Sequence, residues 1–149
     1  MKAIKFNTLT KKIFLGVFIM LFLISVETQA KKYRFQTSSV VPAARGYVKV
    51  NKDRNDNFRI QISISNLAEV KRLQPAKNTY VVWMVTDQET SKNIGQFNSS
   101  KGFLSKKLKA KFETVSSFNP VKIFITAEDI ADSQYPGMTD ILTTERFQY

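Results

Sequence analysis

Phe58-Arg59-Ile60-Gln61-Ile62-Ser63-Ile64-Ser65 alternates apolar and polar residues without a fault. A period of two predicts a strand with one wet face and one dry one. Tyr80-Val81-Val82-Trp83-Met84-Val85 is apolar at every position and rich in β-formers, which predicts a central strand covered on both sides. Trp83 is the only Trp; in such a strand it reads as core rather than as a sugar-stacking platform. Val121-Lys122-Ile123-Phe124-Ile125-Thr126 is a similar, slightly more polar strand. Further strands are predicted at residues 33–37, 47–50, 94–97, 108–112 and 141–147. Polar or Gly/Pro-bearing stretches at 51–57, 87–92, 99–102 and 135–137 supply the turns between them. Residues 67–73 read as one short helical turn, and no sustained 3.6-residue period occurs after residue 30. Seven or eight short strands at this spacing predict an all-β fold, an antiparallel immunoglobulin-like β-sandwich.

The first thirty residues follow another pattern. Lys2, Lys5, Lys11 and Lys12 precede an apolar run from Ile13 to Leu23, extended by Ile24 and Val26, and then comes Thr28-Gln29-Ala30. A basic head, a short greasy centre and a small residue at the cut describe a secretory signal peptide. The stretch of about 14 apolar residues falls short of the roughly 18 of a membrane span. The reading is a signal peptide over residues 1–30, cleavage after Ala30, and a single domain over 31–149 that is periplasmic or secreted and has no transmembrane span. An uncleaved N-terminal anchor is the alternative. No Cys follows the run, which excludes a lipid-anchored lipoprotein.

Without those thirty residues, nineteen basic and eleven acidic side chains remain, a net charge of +8. That balance allows a patch for an anionic partner and equally a solvated basic surface. The chain has neither His nor Cys. The usual zinc, copper, haem and iron–sulfur ligands are therefore missing, and Ser-His-Asp and Cys-His nucleophile systems are impossible. The five glycines never form a phosphate-binding loop. The expectation is a non-enzyme without a cofactor or metal.

The order Pro42-Ala43-Ala44-Arg45-Gly46-Tyr47-Val48, Asn66-Leu67, Tyr80-Val81-Val82-Trp83, Asn93-Ile94-Gly95-Gln96-Phe97, Ile125-Thr126-Ala127-Glu128 and Tyr135-Pro136-Gly137 resembles the extracytoplasmic C-terminal domain of anti-sigma-K-type factors. The resemblance spans roughly residues 46–142 and rests on motif order and spacing. It implies a small β-sandwich outside the cytoplasm and a role in envelope sensing or assembly, with no catalytic residues. In that family a sigma-binding domain and a membrane span precede the sandwich; here only the leader does, so sigma-factor sequestration is not implied.

Lys106, Lys107, Lys109 and Lys111 interleave with Leu108, Ala110 and Phe112. Lys107, Lys109 and Lys111 would share one strand face, where they either meet an anionic envelope component or an acidic protein or shield an edge strand from aggregation. Nucleic acid is not expected, since no basic helix or aromatic-basic module accompanies them. Glu128, Asp129 and Asp132 form an acidic cluster, read as a loop leading to Tyr135-Pro136-Gly137, with no calcium-loop spacing. Asn98-Ser99-Ser100 fits the glycosylation acceptor pattern. The functional expectation is an exported, non-enzymatic interaction or sensing module of the cell envelope. The alternatives are a structural envelope protein and a superoxide-dismutase-like sandwich that has lost its metal site.

Overall fold

The computed structural model describes residues 30–101 and 108–148. The leader up to residue 29, with Lys106 and Lys107 of the basic run, lies outside the described residues. Nine strands follow in order: β1 (Lys31–Arg34), β2 (Arg45–Lys52), β3 (Phe58–Ser65), β4 (Thr79–Thr86), β5 (Ser91–Phe97), β6 (Ser100–Lys101), β7 (Leu108–Ser116), β8 (Pro120–Glu128) and β9 (Asp140–Thr143). A single 3-10 turn, Val70–Arg72, occupies the predicted helical spot. No helix among the described residues is long and apolar enough to cross a membrane.

The strands form two antiparallel sheets, ordered β1-β2-β3-β7-β6 and β5-β4-β8-β9. With β1 set aside, β2-β3-β7-β6 facing β5-β4-β8-β9 is the Greek-key arrangement of immunoglobulin domains, with β5 as the added strand at the edge beside β4. The predicted fold class holds. Element bounds shift in places. The strand expected at 33–37 sits at Lys31–Arg34, and that expected at 141–147 ends at Thr143. The strand expected to stop at 112 runs on to Ser116, and the turn expected at 99–102 contains β6.

Alternation in β2 and β3 sends Val48, Val50, Ile60, Ile62 and Ile64 into the space between the sheets, where each is at most 4% exposed. Tyr80, Val82 and Met84 of β4 and Ile123 and Ile125 of β8 meet them from the other side. Each such side chain stabilises the fold by about 1.5–3 kcal/mol through removal from water. This core does without disulfides, for the chain has no Cys.

The alternate residues of β4, Val81, Trp83 and Val85, form a second buried cluster with Phe124 on the outer face of the second sheet. The β8–β9 loop is tied to this face: Asn93 Nδ2, in register with Trp83, donates to the carbonyls of Ala131 (2.9 Å) and Ser133 (3.1 Å). A strand apolar on both faces is thereby buried on both. Trp83 is core, as expected, yet it lies on the opposite face from Tyr80, Val82 and Met84 of the inter-sheet core.

Tyr80 enters the inter-sheet core with its hydroxyl donating to the Ala68 carbonyl at 2.9 Å. Burial pushes its phenol up to about 12 from an ordinary value of 10.0. A raised folded-state pKa means the contribution is intact below pH 10 and is lost as pH climbs toward about 12, because unfolded tyrosine ionises first. Spectrophotometric titration is expected to show a late tyrosine that disappears in Tyr80→Phe. Titration of all tyrosines together near pH 10 would contradict the assignment.

Candidate functional site

The outward face of the first sheet follows from the same alternation that builds the core. Where Val48 and Val50 point inward, Arg45, Tyr47 and Lys49 point outward; where Ile62 and Ile64 point inward, Ser63 and Ser65 point outward. On β7, Ala110 is buried while Lys109 and Lys111 are exposed. Register then aligns these residues in rows across three strands. Arg45 pairs with Ser65 and Ser65 with Lys109; Tyr47 pairs with Ser63 and Ser63 with Lys111. On β1, Arg34 pairs with Tyr47 and Lys32 with Lys49.

Six cations from three strands thus share one face: Lys32, Arg34, Arg45, Lys49, Lys109 and Lys111. Among the described residues none of the six has a carboxylate partner, whereas Lys52, Arg59, Arg72, Lys77 and Arg146 do. Arg45 is held in place by its own backbone surroundings, with Nη1 donating to the carbonyls of Pro42 (2.6 Å) and Ala44 (2.7 Å). Lys32 Nζ stands 3.8 Å from the centroid of the Tyr47 ring and Lys49 Nζ 5.9 Å from it. The neighbouring Ser63 hydroxyl, and then Lys32, Lys49 and Lys111, hold the Tyr47 phenol below the ordinary tyrosine range.

Relief is concave. A groove of about 490 Å³ runs over Ser63 and Ser65, between Arg45 and Tyr47 on one side and Lys109 and Lys111 on the other. It continues into a recess of about 380 Å³ beside Lys49, Gln61 and Glu113. Glu113 ends the basic stretch, engaged by Gln61 Nε2 at 3.0 Å and by Arg59 at 3.6 Å.

Of the residues singled out in the sequence, Lys109 and Lys111 belong to this face, and Lys107 lies outside the described residues. The edge-strand reading holds for Lys111 and is amended at Lys109: β7 pairs with β3 from Lys109 to Ser116, while on its other side, among the described residues, only Leu108 and Lys109 pair, with the two-residue β6. The acidic cluster is also rearranged. Glu128 is the last residue of β8 rather than a loop residue, and it is buried. Its carboxylate accepts hydrogen bonds from the Gly137 N–H (2.7 Å) and from the Thr126 hydroxyl. Asp129, just past the end of β8, pairs with Lys77 at 2.6 Å. Among the described residues no three acidic side chains gather as a metal site. Asn98, in the acceptor tripeptide, is exposed just beyond β5.

Lys32, Arg34, Arg45, Tyr47 and Lys49 were not legible as site residues. Predicted strand phase gave the outward direction of Arg34, Tyr47 and Lys49 but not of Lys32 and Arg45, which lie outside the predicted spans, and joining any of them to Lys109 and Lys111 requires the β2–β3–β7 pairing, which is non-local. Comparison with protein-family models, with curated proteins and with solved structures finds no match.

Proposed function

We propose that this protein is a non-enzymatic interaction module of the cell envelope, exported by its leader, and that the basic face of the first sheet engages an anionic envelope component. One observation carries the reading: six cations converge on one groove without a carboxylate partner among the described residues. A surface whose charges are not internally compensated raises the local concentration of anions and speeds their capture. The basic-apolar leader and the motif succession resembling the extracytoplasmic domain of anti-sigma-K-type factors support the compartment.

Retention on a phosphate-bearing cation exchanger tests the surface. The double variant Lys109→Glu/Lys111→Glu is expected to elute at clearly lower salt than Arg54→Glu/Lys71→Glu, which makes the same net change at exposed positions away from the groove. Equal shifts would mean that only net charge matters, and the face would lose its role. For export, the native protein is expected to begin at Lys31; a full-length species retained in carbonate-washed membranes would refute cleavage.

A further inference from the structure

Resting on that reading, we infer that the groove binds a single chain of a linear acidic polysaccharide, laid along β3 with its carboxylates on the flanking cations. Three features of the groove select this ligand among anions.

The first is its cross-section. Two strand spacings of about 4.8 Å separate β2 from β7, so Arg45 faces Lys109 across roughly 10 Å, with only Ser65 between them. Ser63 lies likewise between Tyr47 and Lys111. Short side chains below and long ones on both sides make a trough open along the strand direction. A flat bilayer would rest on the lysine and arginine tips and leave the floor untouched. A single extended chain fills it.

The second is the chemistry of the floor. The Ser65 hydroxyl donates to the Arg45 carbonyl at 3.2 Å and the Ser63 hydroxyl bonds the Tyr47 phenol, and each keeps lone pairs that can accept from a ligand hydroxyl; Tyr47 adds an aromatic ring beside them. A ligand carrying hydroxyls between its charges matches hydroxyls between cations. The third is the absence, among the described residues, of an apolar anchor at this end of the face. Ile130, Tyr135 and Met138, strongly exposed, belong to the β8–β9 loop of the other sheet, and Val115 lies past Glu113 at the far end of β7. Among the described residues, no large exposed apolar side chain stands in the basic rows.

The ligand's repeating charges then meet cations about 6.8 Å apart along a strand, the two-residue rise from Lys109 to Lys111. Glu113 repels the chain at one end and fixes where the bound stretch stops.

Titration calorimetry of the purified protein with polygalacturonate oligosaccharides, their fully methyl-esterified counterparts and phosphatidylglycerol vesicles tests this. Polygalacturonate is expected to bind and the uncharged ester not to. Ser63→Leu/Ser65→Leu fills the floor while keeping every charge; it is expected to weaken polygalacturonate by about tenfold or more and to leave vesicle binding unchanged. Ser63→Gln, a milder filling, guards against a folding defect in the double variant, and thermal melts verify both. Lys109→Glu/Lys111→Glu is expected to weaken every anionic ligand. Unaltered polygalacturonate binding by a folded floor-filled variant overturns the trough. Binding of vesicles alone, dependent on Lys109 and Lys111, overturns the glycan and leaves the basic-face reading standing. Indifference of both ligands to Lys109 and Lys111 overturns both.

Discussion

Trp83→Ala is expected to destabilise the protein by about 3–5 kcal/mol, the range for emptying a large aromatic site in a packed interior. Trp83 is fully buried and stacks on Phe124 with ring centroids 6.2 Å apart. It also begins a chain of hydrogen bonds. Its indole N–H donates to the Thr126 hydroxyl at 2.8 Å, that hydroxyl donates to the Glu128 carboxylate, and Glu128 accepts from the Gly137 N–H. Truncation therefore opens a cavity and strips a donor from a buried polar network. Trp83→Phe keeps an aromatic ring but removes the indole N–H together with part of the bicycle, so it leaves a smaller cavity. The phenylalanine variant is expected to lose less, about 1–3 kcal/mol, from that smaller cavity and the lost hydrogen bond together. Denaturant unfolding followed by circular dichroism measures both. A loss below about 1 kcal/mol for the alanine variant, near the scale of surface substitutions, would show that the outer face of the second sheet is not a core.

Gly95→Ala is expected to cost about 2–4 kcal/mol from strained backbone and overpacking together. Gly95 has φ +136°, which side chains other than glycine's hydrogen disfavour. A Cβ there would stand 2.7 Å from Phe112 Cε2. The position matters because β5 and β7 belong to different sheets and meet here, with the Phe97 and Phe112 rings 6.3 Å apart. Beside Gly95 the β4–β5 register slips between Val82 and Trp83. Phe112→Leu should recover part of the loss by vacating the space, while the backbone strain remains; the double-mutant cycle reads that coupling. Wild-type stability of Gly95→Ala would mean that β5 runs with ordinary strand geometry.

Period-two patterning was legible where one face of a strand is wet. β3 occupies the span that its alternation predicts, and β4 extends its apolar run by one threonine at each end. Patterning failed where backbone pairing, rather than side-chain burial, defines the strand. Lys31 and Lys32 are exposed and look like loop, yet they pair with Val50 and Lys49 of β2. Val115 points to solvent in β7 and breaks the alternation that would have extended that strand past Phe112. For the site, one strand's lysines were visible and the other strands' cations were not. Direction is local information, whereas adjacency is set by sheet order. The acidic trio shows the same limit from the opposite side: three neighbours in sequence were read as one cluster, but Glu128 ends β8 buried on the Trp83 face, and Asp129, just past the strand, is exposed and pairs with Lys77.

One seam sets when the molecule can be finished. β1 pairs with β2 in the first sheet, but the residues just after it bond to the second sheet: Phe35 bridges Thr144, and Gln36 N–H donates to the Thr143 carbonyl at 2.8 Å. Tyr33 stacks on Phe147 with centroids 3.9 Å apart, and its hydroxyl donates to the Gln148 carbonyl at 3.1 Å. The two ends of the described chain close on each other, with Tyr33 and Gln148 115 positions apart in sequence. Synthesis from the N-terminus at about 5–20 residues per second leaves this seam open until Phe147 and Gln148 appear, whereas the pairings of β2 with β3 and of β3 with β7 can form before then. The sandwich therefore has a built-in delay between having a core and being sealed, and during that interval the aromatic pair Tyr33 and Phe147 is the latch still waiting for its second half.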